Sequence, residues 1–294
     1  MSNILGIKIG VPQGSILGPL LFLLYINDLP SCSNFLSLLF ADDTALIIED
    51  DNLNNLISQA NLEFQKVCTF FRQNKLSLHP DKSKYLIISN SLFSLDLLQP
   101  IVINNNDVGS LNPSPCLPLT LVKSSDHFPA IKYLGVHFDP SLNFKFHLKQ
   151  LKSKISRALF TLRRAKHFLP ENSLKTLYYS LVHCHLVYAV EIWSCTSYSN
   201  LKPLVLKQKE AIRIITNSSY NAHTEHLFKA LEILPLISLS DSMKIKFMHS
   251  YVQNFLPAAF DNMWTLNRDR RFLEGNLQPQ ELRSDGDFFV PFSR

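Results

Sequence analysis

The sequence predicts an α+β fold in which a strand-containing half is followed by an all-helical half. In the first half, short apolar runs alternate with turns, and two such runs flank the pair Asp42-Asp43. From Phe144 onward, apolar residues recur every three or four positions, which is the helical period. The 294 residues, 46% of them apolar, suffice for one large core or two smaller ones.

The chain begins with a predicted strand, a glycine-rich turn and an apolar helix. Residues 10–19 hold three Gly and two Pro, and Pro19 suits the first turn of a helix. Residues 20–26 are apolar on every side, so we expect that helix to be fully buried. A glycine-rich turn before a helix lets a ligand approach backbone amides closely, although an ordinary turn has the same composition.

Asp42 and Asp43 lie between two apolar runs that we predict to be buried strands. Successive side chains of a strand point to opposite faces, so the two carboxylates can share a site only at the tip of a hairpin. Buried carboxylates also need a cation or a turn to offset their desolvation. Hard oxygen ligands without a nearby Cys or His suit Mg²⁺ or Mn²⁺, the ions of two-metal phosphoryl transfer. Taken alone, Asp-Asp favours a surface β-turn, where Asp is common.

Charge and cysteine content restrict the class of protein. The net charge is +5, and residues 140–169 contain eight Lys or Arg and no acid, which favours a polyanionic partner. The five cysteines form no CxxC pair, which argues against a disulfide framework or a structural zinc site and fits a reducing, intracellular setting. No apolar run is long enough to span a bilayer and no signal peptide is recognisable, so we expect no membrane partner.

Three segments together resemble the reverse transcriptases of non-LTR (LINE-type, jockey-like) retrotransposons. They are residues 10–22, residues 25–30 (Tyr-Ile-Asn-Asp-Leu-Pro) and residues 40–44 (Phe-Ala-Asp-Asp-Thr). The resemblance implies an RNA-directed DNA polymerase that uses an RNA template, a DNA primer, deoxynucleoside triphosphates and Mg²⁺ (or Mn²⁺). It implies that Asp42 is the principal metal ligand and Asp43 a more peripheral one. It also implies that the nucleotide and template are contacted by Pro12, Gln13, Gly14 and Ser15.

Two further segments extend the resemblance. Residues 74–88 resemble a family segment whose lysine, here Lys82, lies near the triphosphate, although a loop lysine is more often a solvated charge. Residues 131–139 match the strand and glycine turn that the family uses as a primer grip, which gives that role to Tyr133, Leu134 and Gly135. A common edge strand would show the same short pattern.

A basic amphipathic helix is predicted from Phe144 onward. Like charges without interspersed acids repel on a helix in water, and a phosphate backbone would offset that repulsion by releasing counterions. The resemblance implies a thumb that grips the template-primer duplex, whereas a solvated basic helix is the alternative. The predicted duplex-binding residues are Lys145, Lys149, Lys152, Arg157, Arg163 and Arg164.

The resemblance also predicts the domain organisation. Residues 1–139 would form part of a polymerase palm, an antiparallel sheet with helices, in which 91–130 is a loop insertion with a hairpin at 101–108. Residues 140–200 would form the thumb, 201–256 a C-terminal helical region and 257–294 an irregular tail, with further helices over 172–193, 204–215, 223–234 and 238–255. In the family, a further catalytic Asp precedes the glycine-rich turn, and none is present in residues 1–10. We therefore expect this chain alone to be inactive, and the alternative function is a non-catalytic nucleic-acid-binding remnant that keeps the basic helix.

Overall fold

The computed structural model describes residues 14–89, 99–103, 117–123, 126–127, 129–261, 263–266 and 288–289. Helices and short strand pairs make up these residues, which confirms the α+β class. Buried apolar residues form two separate cores. The first core collects residues from 26 to 119, and the second core collects residues from 136 to 239.

The first half contains two helices and three strand pairs. Its elements are α1 (Leu17–Ile26), a 3-10 helix (Leu29–Cys32), β1 (Leu36–Phe40), β2 (Asp43–Ile47), α2 (Leu53–Gln73), β3 (Lys84–Tyr85), β4 (Val102–Ile103), β5 (Leu117–Pro118) and β6 (Thr120–Leu121). The side chain of Asn52 accepts hydrogen bonds from the backbone N–H groups of Asn54 and Asn55, so α2 begins with a conventional N-cap.

The strands of this half pair only two by two among the described residues, so the single predicted palm sheet is not seen there. β1 and β2 are antiparallel, β3 and β6 are parallel, and β4 pairs antiparallel with β5. Most of the hairpin predicted at 101–108 lies outside the described residues, and among those described the partner of β4 is Leu117–Pro118. The Asn61 side chain fixes β4 on α2, accepting from the Val102 N–H at 3.2 Å and donating to the Pro100 carbonyl at 3.2 Å.

The prediction that α1 is fully buried is wrong for the described structure. Ile26 is buried and Phe22 packs partly on the first core, but Leu20, Leu21 and Leu24 are 54%, 48% and 67% exposed. The two predicted buried strands are also only half-covered, since β1 and β2 contain exposed and half-buried residues and none that is buried. An apolar composition indicates that a segment is stable when covered. Burial also requires a second layer of helices or strands packed on that segment.

The second half contains a strand pair followed by helices. Its elements are β7 (Ile131–Tyr133), β8 (Val136–Phe138), α3 (Lys145–Ala165), α4 (Glu171–Tyr178), a π-helical turn (Tyr179–His183), α5 (Cys184–Val187), α6 (Val190–Trp193), α7 (Tyr198–Ile215), α8 (Glu225–Ala230), α9 (Leu236–Val252) and a 3-10 helix (Ala258–Phe260). Two short strands, β9 (Thr265–Leu266) and β10 (Phe288–Phe289), pair within the segment predicted to be an irregular tail. The helix predicted over 172–193 is interrupted at Ala189, whose φ of 52° is left-handed.

The second core is built on the packing of α3 against α7. Ile155, Leu162 and Trp193 are fully buried in it. Val136 of β8 belongs to the same core, so the β7–β8 hairpin packs with the helices and not with the first core. Within the described ranges, no helix is both long enough and apolar enough to cross a membrane.

Candidate functional site

The two adjacent aspartates lie at the tip of the β1–β2 hairpin. Phe40 pairs with Asp43, so Ala41 and Asp42 form the two-residue loop and Asp43 opens β2. Ala41 has a φ of 52°, and the positive φ at the first loop position alone is the pattern of a type II′ turn. The predicted hairpin tip is thus present.

Both carboxylates are exposed, so the turn keeps them in water and the predicted burial in the strands does not occur. Among the described residues, no group of three or more His, Cys, Asp or Glu side chains could hold a metal ion. Asp42 and Asp43 nevertheless offer hard oxygens of the kind that Mg²⁺ prefers. They supply part of a ligand set, which water, phosphate oxygens or further carboxylates would complete.

A second hairpin, β7–β8, lies against the first. Tyr133 pairs with Val136, and the loop residues Leu134 and Gly135 both have positive φ, 42° and 85°, as a type I′ turn requires. The Tyr133 hydroxyl donates to the Leu38 carbonyl of β1 at 3.3 Å. Burial, followed by the negative charge of Asp43, raises the pKa of Tyr133. The structure therefore brings Tyr133, one of the predicted primer-grip residues, into contact with the aspartate hairpin.

Asp139 joins the second hairpin to the basic helix α3. Its carboxylate is buried and accepts backbone N–H groups from Ser141 at 3.2 Å, Asn143 at 3.1 Å and Phe144 at 2.7 Å. Phe144, with a φ of 56°, then starts α3. Asp139 was not among the predicted site residues, although an Asp before a Pro-Ser turn is a recognisable signal for this arrangement.

Tyr188 contacts the loop of the same hairpin from the helical half. Its hydroxyl donates to the Leu134 carbonyl, and a Cβ added at Gly135 would lie 3.2 Å from the Tyr188 ring. Tyr188 was not predicted either, and no local pattern could have identified it, because it is 54 positions from its partner.

The basic residues of α3 point away from the second core. Lys145, Lys149, Lys152, Arg157 and Arg164 are exposed, while Leu148, Leu151, Ile155, Leu159 and Leu162 are buried. Arg163 differs from the other predicted duplex-binding residues because its guanidinium forms an ion pair with Glu210 of α7. Lys207 binds the same carboxylate at 3.0 Å.

Two histidines lie where β8 meets α3. His147 is buried, and its Nδ1 accepts from the His137 backbone N–H at 3.4 Å. Burial, and then the charges of His137 and Lys154, lower the pKa of His147 to about 4. Burial and the charges of Lys132 and Lys154 lower the pKa of His137 as well. This junction is therefore occupied by uncharged imidazoles at neutral pH.

Comparisons with known proteins find similar sequences. Residues 4–138 match the family described as reverse transcriptase (RNA-dependent DNA polymerase). The chain is 26% identical over 238 residues to the probable RNA-directed DNA polymerase from transposon BS of Drosophila melanogaster, an alignment that covers 77% of this chain and 24% of that protein. It is 24% identical over 266 residues to the RNA-directed DNA polymerase from mobile element jockey of the same species, with 84% and 26% covered. No solved structure matches.

Over residues 4–138 the chain is similar to reverse transcriptases, and over most of its length it is similar to the RNA-directed DNA polymerases of these two mobile elements. It spans about a quarter of the length of the curated relatives it matches. The reverse transcriptase match ends at Phe138, which is also the last residue of β8. Similarity to the two relatives covers more residues than that match, so it extends into the helical half.

Only some of the other site residues predicted from the resemblance lie within the described structure. Pro12 and Gln13 lie outside the described residues. Gly14 has a φ of 83° and open space around it, while the Ser15 hydroxyl accepts from the Gly18 N–H, in the first turn of α1, at 3.1 Å. Lys82 is exposed in a turn, where its N–H donates to the His79 carbonyl at 3.2 Å. Among the contacts of the described residues, none joins Lys82 to the aspartate hairpin.

Proposed function

We propose that this chain is part of the RNA-directed DNA polymerase of a non-LTR retrotransposon, with a partial palm in its first half and a thumb in its helical half. The contact of Tyr133 with Leu38, beside Asp43, carries the proposal. It joins one predicted primer-grip residue to the hairpin that carries the predicted metal ligands. In template-primed synthesis, the primer 3′-hydroxyl must meet the metal-bound triphosphate, so these two hairpins need to be neighbours.

Each part of the site has a separate task. Asp42 and Asp43 would hold the divalent ion, which when bound neutralises phosphate charge and activates the attacking hydroxyl. Gly135 is exposed and has no side chain, so a primer end could approach its backbone from the side that Tyr188 leaves open. The exposed cations of α3 would bind backbone phosphates and hold the duplex without reading its sequence.

Metal binding can be tested without polymerase activity. Fe²⁺ added in place of Mg²⁺, with ascorbate and peroxide, should cleave the chain close to a metal site, and we expect cleavage around residues 41–44. Excess Mg²⁺ should suppress it, and Asp42→Asn should abolish it. Asp51→Asn is the matched control, because Asp51 is also exposed and lies on the same segment. Cleavage that persists in Asp42→Asn, or that is lost equally in the control, would refute the metal site.

A second candidate, a nucleic-acid-binding protein without chemistry, is favoured by one observation. The basic face lies on α3, which is buried in the second core and does not depend on the aspartate hairpin. Duplex binding could therefore persist without catalysis.

Extension of a DNA primer on an RNA template, measured with Mg²⁺ and with Mn²⁺, separates the two candidates. Because the described residues supply only two of the carboxylates that such chemistry needs, we expect duplex binding without measurable extension by this chain alone. Extension that is lost in Asp42→Asn would instead establish the polymerase.

A further inference from the structure

We propose that Tyr188 is a positioning residue that fastens the Leu134–Gly135 turn to the helical half of the chain. Two contacts define this fastening. The Tyr188 hydroxyl donates to the Leu134 carbonyl, and the Tyr188 ring lies so close to Gly135 that an added Cβ would stand 3.2 Å from ring atom Cε1. Because Gly135 also has a φ of 85°, any other residue there would both strain the turn and displace the ring.

The position of Tyr188 is itself fixed from the second core. Its backbone carbonyl accepts from Nε1 of Trp193, at 2.8 Å, and Trp193 is fully buried. Ala189, with a left-handed φ of 52°, interrupts the helix at this point and turns the backbone of Tyr188 out of the helical path. Tyr188 is 54% exposed, so its side chain adds little to the second core, and its main contact is with the turn.

The β7–β8 hairpin is therefore attached to the helical half at both ends. At the base, Asp139 links β8 to α3, and at the tip Tyr188 holds the turn. Val136, which directly follows the turn, belongs to the second core. Toward the aspartate hairpin, the corresponding contact is the longer hydrogen bond from Tyr133, at 3.3 Å. If the two halves shift relative to each other, the turn follows α3.

The functional meaning of this fastening rests on the proposed function. If the turn contacts the primer 3′ end and α3 binds the duplex phosphates, Tyr188 fixes the distance between the two binding surfaces. Loss of its hydroxyl should then impair placement of the primer end while leaving total duplex affinity unchanged. A residue that serves only stability would alter both.

Amide hydrogen exchange on the full chain, without ligand, tests the fastening directly. In Tyr188→Phe, amides of residues 131–138 should exchange about fivefold faster, which corresponds to about 1 kcal/mol at 1.4 kcal/mol per tenfold. Gly135→Ala should accelerate the same amides further. Tyr198→Phe is the matched control, because Tyr198 is an equally exposed tyrosine on α7 for which the structure shows no side-chain bond to the hairpin. Unchanged exchange in Tyr188→Phe, or acceleration spread over the whole helical half, would overturn the proposal.

A binding comparison tests the role in positioning. We expect the unaltered chain to bind an RNA/DNA duplex with a recessed primer 3′ end more tightly than a blunt duplex of the same length. Tyr188→Phe should keep its affinity for the blunt duplex within about twofold and lose that preference. A preference retained in Tyr188→Phe, despite faster exchange at 131–138, would overturn the positioning role. If the unaltered chain shows no preference, the proposed function fails, whereas the exchange experiment still decides whether Tyr188 fastens the turn.

Discussion

Removing positive charge from α3 is the most direct test of whether this helix binds a nucleic-acid duplex. One side of the helix carries Lys145, Lys149 and Lys152. About 110° further around the helix axis lie Arg157 and Arg164. The basic stretch is about 28 Å long, which matches about eight base pairs. If about four of these cations neutralise phosphates, the logarithm of the association constant should fall against the logarithm of salt with a slope of about −3.6.

The double variant Lys149→Gln, Lys152→Gln should halve this slope to about −1.8. Raising salt from about 50 to about 200 mM should then weaken binding about 12-fold in the variant, against about 150-fold in the unaltered chain. Fluorescence anisotropy with a labelled RNA/DNA duplex of mixed sequence gives both values.

Arg163→Gln is the control for this series. Arg163 lies on the same side of α3 as Lys149, but Glu210 engages its guanidinium, so its replacement should change the slope by less than about 0.5. An unchanged slope in the double variant would show that α3 is a solvated face. If Arg163→Gln changes the slope as much as Lys149→Gln alone does, Arg163 binds the duplex despite its ion pair with Glu210.

Three further predictions concern the stability of the helical half, measured by denaturant unfolding. Asp139→Ala removes an acceptor of three backbone N–H groups, including that of Phe144, and should lower the free energy of unfolding by about 2–4 kcal/mol. Gln208 is buried and bonded to the Tyr178 hydroxyl at 3.0 Å, so Gln208→Met, which keeps the volume, should lower the free energy of unfolding by about 2–4 kcal/mol. The pKa of His147 is about 4 when folded and 6.5 when unfolded, so the unfolded chain binds more protons between these values. The contribution of His147 is therefore complete above pH 6.5 and is lost as the pH falls toward 4, by at most about 3 kcal/mol.

Each of these predictions has its own contrary outcome. Asp139→Asn keeps one acceptor oxygen and should lose less stability than Asp139→Ala; equal losses would show that the hydrogen bonds are not the cause. Unfolding of Gln208→Met at the unaltered denaturant midpoint would show that its buried partners find water instead. His147→Gln should flatten the stability profile between pH 6.5 and 4, and a profile of unchanged steepness would assign it to other groups, such as His137, whose pKa is also lowered.

Local patterns predicted the elements whose ends depend on local contacts. The tip of the aspartate hairpin follows from two apolar runs around two acids. The basic helix was predicted from Phe144 and begins at Lys145, because apolar residues at helical spacing run through its whole length. For these segments, the pattern of apolar residues suffices.

Features that depend on distant residues could not be predicted. The pairing of β4 with β5 is supported by Asn61, which lies 41 positions before Val102. The partner of Arg163 in its ion pair is Glu210, which is 47 positions away. No periodicity in α3 separates Arg163 from the lysines beside it. The contacts that join the parts of the candidate site thus appear only in the folded chain.

The two separate cores mean that one melting temperature describes this chain incompletely. Each core collects residues from its own stretch of sequence, so each half can unfold as a cooperative unit of its own. The calorimetric enthalpy of unfolding should then exceed the van't Hoff enthalpy. Both tryptophans, Trp193 and Trp264, lie in the second half of the sequence. Intrinsic tryptophan fluorescence therefore follows the helical half, and the half that carries Asp42 and Asp43 can unfold without changing that signal.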